Sequence, residues 1–243
     1  MRSVFFAYCL VFAASTLAQS GLGDDRRDSY AVEIAKSVWP EGISYDDVRD
    51  FSPDDTRQLI ELLQNEDEKT HWVNAITIIG FAGNISDIEP LLQFMEQNSE
   101  SAYKDFYTLR AVATVPFALG CIGYENDANF IRERLVSLSS AQAWRRSADK
   151  SSQGDSVALE LAQASVIGLA MSGDVARTMM VVERMRATRS WDEGLNNMVL
   201  EIVEIVESEG LEGYYSNDPD DFDAEQVEEE QVDKDPSSSN ARK

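Results

Sequence analysis

Two five-residue segments, Ile79-Gly80-Phe81-Ala82-Gly83 and Leu119-Gly120-Cys121-Ile122-Gly123, repeat one pattern along the chain. In each, an apolar run is punctuated by glycines and followed within a few residues by an acidic turn suited to starting a helix. Gly80 and Gly120 stand 40 residues apart (120 minus 80), and a looser copy, Ile167-Gly168-Leu169-Ala170-Met171-Ser172-Gly173, follows. Self-similarity at roughly 40 residues is the spacing of helix pairs, which bury their apolar faces only by stacking on their neighbours.

Apolar periodicity fills in the helices between these marks. Leu59, Ile60, Leu62 and Leu63 form a stripe at helical spacing over Asp54–Asn65. Ser52, Pro53 and Asp55 supply a cap, a first-turn proline and an S-x-x-D capping box. A second helix is expected over Glu68–Ala82, ending at Gly83, and a third from the S-x-x-E box Ser86-Asp87-Ile88-Glu89, with Pro90 in its first turn. A fourth covers Tyr103–Ile122 and is expected to kink at Pro116. Further helices are expected over Asp127–Ser137, Ser156–Met171, Val175–Ala187 and Trp191–Glu207, with a short one over Ser29–Val38 capping the open end. The polar connection Arg145–Asp155 lengthens the third interval to 48 residues (168 minus 120). No β-branched run alternates over the length of a strand, so the body reads as all-α.

The series Leu59-Ile60-x-Leu62-Leu63, Trp72-Val73-Asn74-Ala75-Ile76-x-x-Ile79-Gly80 and Ser86-Asp87-Ile88-Glu89-Pro90-Leu91-Leu92 resembles the HEAT-repeat pattern, and is close to armadillo repeats. The likeness is good over 52–137 and degraded over 156–212. It implies a short right-handed α-solenoid of about four antiparallel helix pairs, used as a protein-binding scaffold. It carries over no catalytic residue.

The two ends differ from this body. Arg2, the apolar stretch Val4–Ala14 and the small residues up to Ala18 read as a secretory signal, cleaved after Ala18 and shorter than the roughly 20 residues of a membrane span. Export to the periplasm or the exterior is therefore expected. Loss of Cys9 with the signal leaves Cys121 as the only thiol, with no internal disulfide. From Asn217 to Asp235 acids dominate, and such a segment cannot bury enough apolar surface to fold. The expected organisation is a signal at 1–18, a cap segment at 24–51, helical repeats at 52–212 and a disordered acidic tail at 213–243.

Of the 243 residues, 43% are apolar, enough for a sizeable core, and the net charge is −23. That charge argues against nucleic acid as a partner, because such binders displace counterions with a basic face. It also disfavours anionic membranes.

Chemistry is sparsely marked. His71 stands alone, which excludes a multi-histidine zinc site, and no nucleophile or orienting group accompanies it. Ser101-x-x-Lys104 and Ser147-x-x-Lys150 lack the companion motifs of serine–lysine enzymes. The closely spaced Asp218, Asp220, Asp221 and Asp223 suit weak, diffuse binding of divalent cations rather than an EF-hand. No catalytic residue, cofactor or defined metal site is expected.

The reading favoured is a non-catalytic scaffold that binds a protein partner. The alternatives are a carrier of a small apolar ligand, should Trp72, Phe106 and Trp144 line a cavity, and a HEAT-like enzyme subunit of the lyase type. By periodicity, the partner contacts are sought at His71, Asn74, Lys104, Arg110 and Glu160. Arg132, Arg134, Arg145 and Arg146 are added from a basic stretch that runs on to Arg189 between acidic flanks. That stretch could hold the tail by charge, or its arginines could form ordinary pairs with Glu133, Glu160 and Glu183.

Overall fold

The structure, a computed structural model, describes residues 30–38, 43–145 and 152–216. The segment expected to be a signal and the acidic segment from 217 onward lie outside the described residues. Within them the chain is all-α: α1 (Tyr30–Lys36), α2 (Tyr45–Val48), α3 (Pro53–Leu62), α4 (Trp72–Ala82), α5 (Ile88–Asn98), α6 (Phe106–Glu125), α7 (Asn129–Leu138), α8 (Ala141–Trp144), α9 (Ser152–Met171), α10 (Val175–Ala187) and α11 (Glu193–Ser216). Short 3-10 turns at Glu66–His71, Ile85–Asp87 and Ser101–Tyr103 lead into α4, α5 and α6.

Local chemistry starts the helices where polar side chains take up free backbone N–H groups. Ser52 and Asp55 form the reciprocal capping box expected at α3. Asp105 accepts from Thr108 N at 2.9 Å and so caps α6, while Asp174 does the same for α10 through Arg177 N at 3.0 Å. At α5 the box differs from the expected one. Asn84, not Ser86, is the cap: its Oδ1 accepts from Ser86 N at 2.8 Å, and its own N–H donates to Asp87 Oδ2 at 2.9 Å. Asn84 reaches the free N–H groups two residues before Ser86 does, so a 3-10 turn precedes the α-helix.

Helices α4, α6, α9 and α11 lie side by side in that order, with α3, α5, α7 and α10 packed against them. This layering is compatible with a stack of helical repeats. α6 is at the centre, between α4 and α9. It is long and apolar enough to cross a membrane, but most of it is buried within the fold, as suits a central core helix. It is continuous through Pro116, which withholds only its own N–H from the ladder.

The repeated glycines act differently from the stops the sequence suggests. Gly80, Gly120 and Gly168 sit inside helices, where they let neighbours approach. A Cβ on Gly80 would meet Ala118 Cα at 2.8 Å, and one on Gly168 would meet the Pro116 carbonyl oxygen at 2.1 Å. Only Gly83 and Gly173 end helices, the latter at φ 71° in the left-handed region. The period of 40 therefore records a chain of close crossings from α4 through α6 to α9.

The last described helix packs back on the first ones. α11 extends beyond Glu207 and beyond the boundary at 212/213 expected from composition, and Gly210 at φ 74° breaks its course. After that break Tyr215 stacks on Tyr45 of α2 with ring centroids 5.3 Å apart, and meets Phe81 of α4 edge-on at 4.5 Å. Its hydroxyl lies 3.5 Å from Cys121 Sγ of α6. Arg49, the residue that follows α2, pairs with Glu212 of α11 at 3.4 Å. The last described turn thus returns to the first helices.

Candidate functional site

The start of α6 presents the group that best fits a binding role. Phe106 is 57% exposed and Tyr107 45%, their rings edge to face with centroids 5.9 Å apart. The Arg110 guanidinium lies over the Phe106 ring at 5.7 Å, a cation–π arrangement that holds the ring in place at the surface. Asp105, one residue earlier, accepts from Lys69 Nζ at 3.1 Å, which ties the start of α4 to the start of α6. The hydrogen bonds from Thr108 hold the Asp105 carboxyl below its ordinary pKa, with Lys69 adding to the effect, so it stays ionised at neutral pH. Lys104 is exposed beside this group.

His71 stands at the same end, as the last residue of the 3-10 turn before α4. It is half-buried, with Nε2 3.9 Å from Glu68 Oε2. Burial lowers its pKa, partly offset by Glu68, and so favours the neutral ring. Asn74 is not a surface contact. Its Nδ2 donates to the carbonyls of Ala35 at 3.0 Å and Ser37 at 3.3 Å, and so holds the end of α1 against α4.

The arginines sought in the basic stretch are mostly committed within the fold. Arg132 is largely covered: Nη1 pairs with Asp127 at 2.7 Å and Nη2 donates to the Ser172 carbonyl at 3.3 Å. Arg134 pairs with Glu96 at 3.1 Å, Arg145 with Asp155 at 3.0 Å and Arg177 with Asp174 at 2.5 Å. These partners are not the expected Glu133, Glu160 and Glu183. Arg146 lies outside the described residues. Glu160 is half-buried on α9, and burial raises its pKa.

A cleft of about 240 Å³ opens where the period breaks, at the ends of α7 and α10. Arg145, Arg184, Ser140 and Thr188 are among the residues that line it, and Arg184 Nη2 donates to Ser139 Oγ at 2.9 Å. Sequence reasoning missed this cleft, because its walls come from segments about 45 residues apart.

The aromatic residues weighed as cavity walls are not brought together. Trp72 and Trp144 are core residues whose indole N–H groups donate to the carbonyls of Leu62 and Leu138, whereas Phe106 is at the surface. Cys121 is fully buried, and burial pushes its pKa up to about 12, so it carries no reactive thiolate. Among the described residues, no group of three or more His, Cys, Asp or Glu side chains could hold a metal ion.

Comparison with known protein families, with curated proteins and with solved structures gives no match.

Proposed function

We propose that this chain is a non-catalytic interaction scaffold of HEAT-like solenoid type, working in an exported compartment, and that it binds a protein partner at the start of α6. The observation that carries this reading is the cluster of Phe106, Tyr107 and Arg110. Two aromatic rings are held at the surface by a guanidinium that packs on one of them. Aromatic and arginine side chains are enriched at binding hot spots: the rings bury large areas with only two rotatable bonds each, and the guanidinium adds directed hydrogen bonds. Lys104 and the half-buried His71 supply a polar rim at the same end of the molecule.

The reading is tested by affinity capture from the exported fraction of the source cells. The intact chain is compared with Phe106→Ala/Tyr107→Ala/Arg110→Ala. A single stoichiometric protein retained by the parent and reduced at least tenfold by the triple variant supports it. Equal retention by both proteins overturns the assignment of the surface, and a copurifying small molecule in native mass spectrometry would favour the carrier instead.

A further inference from the structure

The cleft at the ends of α7 and α10 has an uneven supply of hydrogen-bonding groups. Many of its backbone acceptors are spent. The carbonyls of Ser140 and Ala141 accept from Ala143 N at 2.9 Å and from Arg145 N at 3.1 Å. Met185 O accepts from Ser190 N at 2.9 Å and from the Thr188 hydroxyl at 3.0 Å. Ser190 O in turn accepts from Gln163 Nε2 at 3.3 Å.

Donors are left over. The Arg184 guanidinium spends Nη2 on Ser139 Oγ at 2.9 Å and has no carboxylate partner among the described residues. Several further N–H groups remain on its flat fork. Ser140 stands at the N-cap of α8, yet its hydroxyl makes no capping bond. A ligand that suits this lining is itself an acceptor.

Charge and size narrow the choice. Arg145 also lines the cleft, but its Nε pairs with Asp155 Oδ1 at 3.0 Å. The lining therefore holds one guanidinium without a counter-charge, which matches the single charge of a carboxylate better than the double charge of a phosphate monoester. A guanidinium fork also meets both oxygens of a carboxylate in one plane. Leu159, Ala141 and the buried Met185 share the same cleft, so a ligand with an apolar body gains from entering it. At about 240 Å³ the cleft is smaller than the roughly 300–1,000 Å³ of sites for drug-sized molecules, and that body is only a few carbons. We propose that this cleft binds a terminal carboxylate carried on a short aliphatic group, anchored by Arg184. Because the anchor is exposed, its charge contact is screened by salt, and the aliphatic body supplies the selectivity. Two sources present this chemistry: a free short-chain acid, and the last residue of a polypeptide that ends in an aliphatic side chain.

The experiment follows the amide signals of the isotope-labelled full chain during titration with 4-methylpentanoate to about 20 mM. Saturable shifts are expected at residues 139–142, 159 and 184–190, with none in α3. Arg184→Gln, a change at an exposed side chain, should weaken binding at least tenfold. Arg186→Gln should not, because Arg186 turns to Asn196 of α11 and does not line the cleft. Acetate lacks the aliphatic body and 4-methylpentanamide lacks the charge, so each should bind at least tenfold more weakly. The proposal is overturned by an absence of saturable shifts, by unchanged binding to Arg184→Gln, or by acetate, the amide or inorganic phosphate binding as well as the acid. The peptide acetyl-Gly-Gly-Leu distinguishes the sources: binding at least tenfold tighter than that of the free acid identifies a chain end, and equal or weaker binding identifies a small molecule. None of these readouts involves Phe106, Tyr107 or Arg110, so the surface at the start of α6 stands or falls separately.

Discussion

Gly120 and Gly168 lie so close across the α6–α9 crossing that a Cβ on Gly120 would stand 2.1 Å from the Gly168 carbonyl oxygen. Contact with backbone cannot be relieved by a rotamer change. The two helices approach as they do because neither has a side chain at the crossing.

Gly120→Ala should therefore destabilise strongly. Overpacking at a rigid crossing costs about 3 kcal/mol, which lowers Tm by roughly 10 °C in a domain of this size. Gly123→Ala is the matched control. There the added Cβ meets no backbone atom but Ile131 Cγ2 at 3.2 Å, a side-chain methyl that need give way by only a few tenths of an ångström. The better helix propensity of alanine offsets the crowding, and the change should stay within about 0.5 kcal/mol. Urea unfolding of the two variants gives the comparison; equal effects would mean that the crossing does not set the fold.

Much of the helical framework was legible from short-range signals. The limits of α10 match the apolar pattern at Val175–Ala187, and the Ser52–Asp55 box marks the start of α3. α2 and α8 were missed because four residues are too few for periodicity to register. The role of the glycines was misread for a different reason. Their spacing is visible in the sequence, but the crossing that needs them joins residues 48 positions apart (168 minus 120). Arginine pairing was hidden in the same way, since Glu96, the partner of Arg134, lies on another helix. The end of α11 was assigned to the tail because Glu207, Glu209 and Glu212 blend into the acids that follow. Tyr214 and Tyr215, aromatic residues at the edge of an acidic stretch, were the available sign that the chain still had a face to bury.

Closure by α11 should be separable from the stability of the stack. Tyr215→Ala removes a ring packed against Tyr45 and Phe81, and the loss should be about 2 kcal/mol, because the ring is only partly covered. Gly210→Ala should act through the same contacts, since φ 74° with ψ −172° is a conformation that only glycine adopts freely. Both variants should raise amide exchange in α2 and at the end of α11 while leaving the α6–α9 core protected. Loss of protection throughout would show that closure and core form one cooperative unit.

The Cys121 thiol should report unfolding. With its pKa near 12, about one molecule in ten thousand carries a thiolate at pH 8, and the sulfur is enclosed beside Tyr215. In a chain carrying Cys9→Ser, a disulfide reagent such as DTNB should leave Cys121 unmodified under native conditions and react with one equivalent in 6 M guanidinium. Tyr215→Ala should speed the native-state reaction several-fold by opening the site. A fast reaction in the parent would contradict the closed packing of α11.

Glu160 offers a test of electrostatics with a definite sign. Burial raises its pKa in the folded chain, and it has no cationic partner among the described residues to offset that cost. A group with a raised folded pKa contributes most when protonated. Its contribution is therefore fully present below the ordinary carboxylate range and is lost as pH rises through the folded value. Glu160→Gln should accordingly stabilise the protein at pH 7, by under about 1 kcal/mol given the partial solvent exposure, and the gain should vanish towards pH 4. His71 runs the other way. Its lowered pKa gives stability that is present above about pH 6.5 and lost as pH falls, so His71→Gln should flatten the acid side of the profile. Urea midpoints at pH 4, 5.5 and 7 for the two variants separate these effects. A gain from Glu160→Gln that persisted at pH 4 would show that packing, not charge, is responsible.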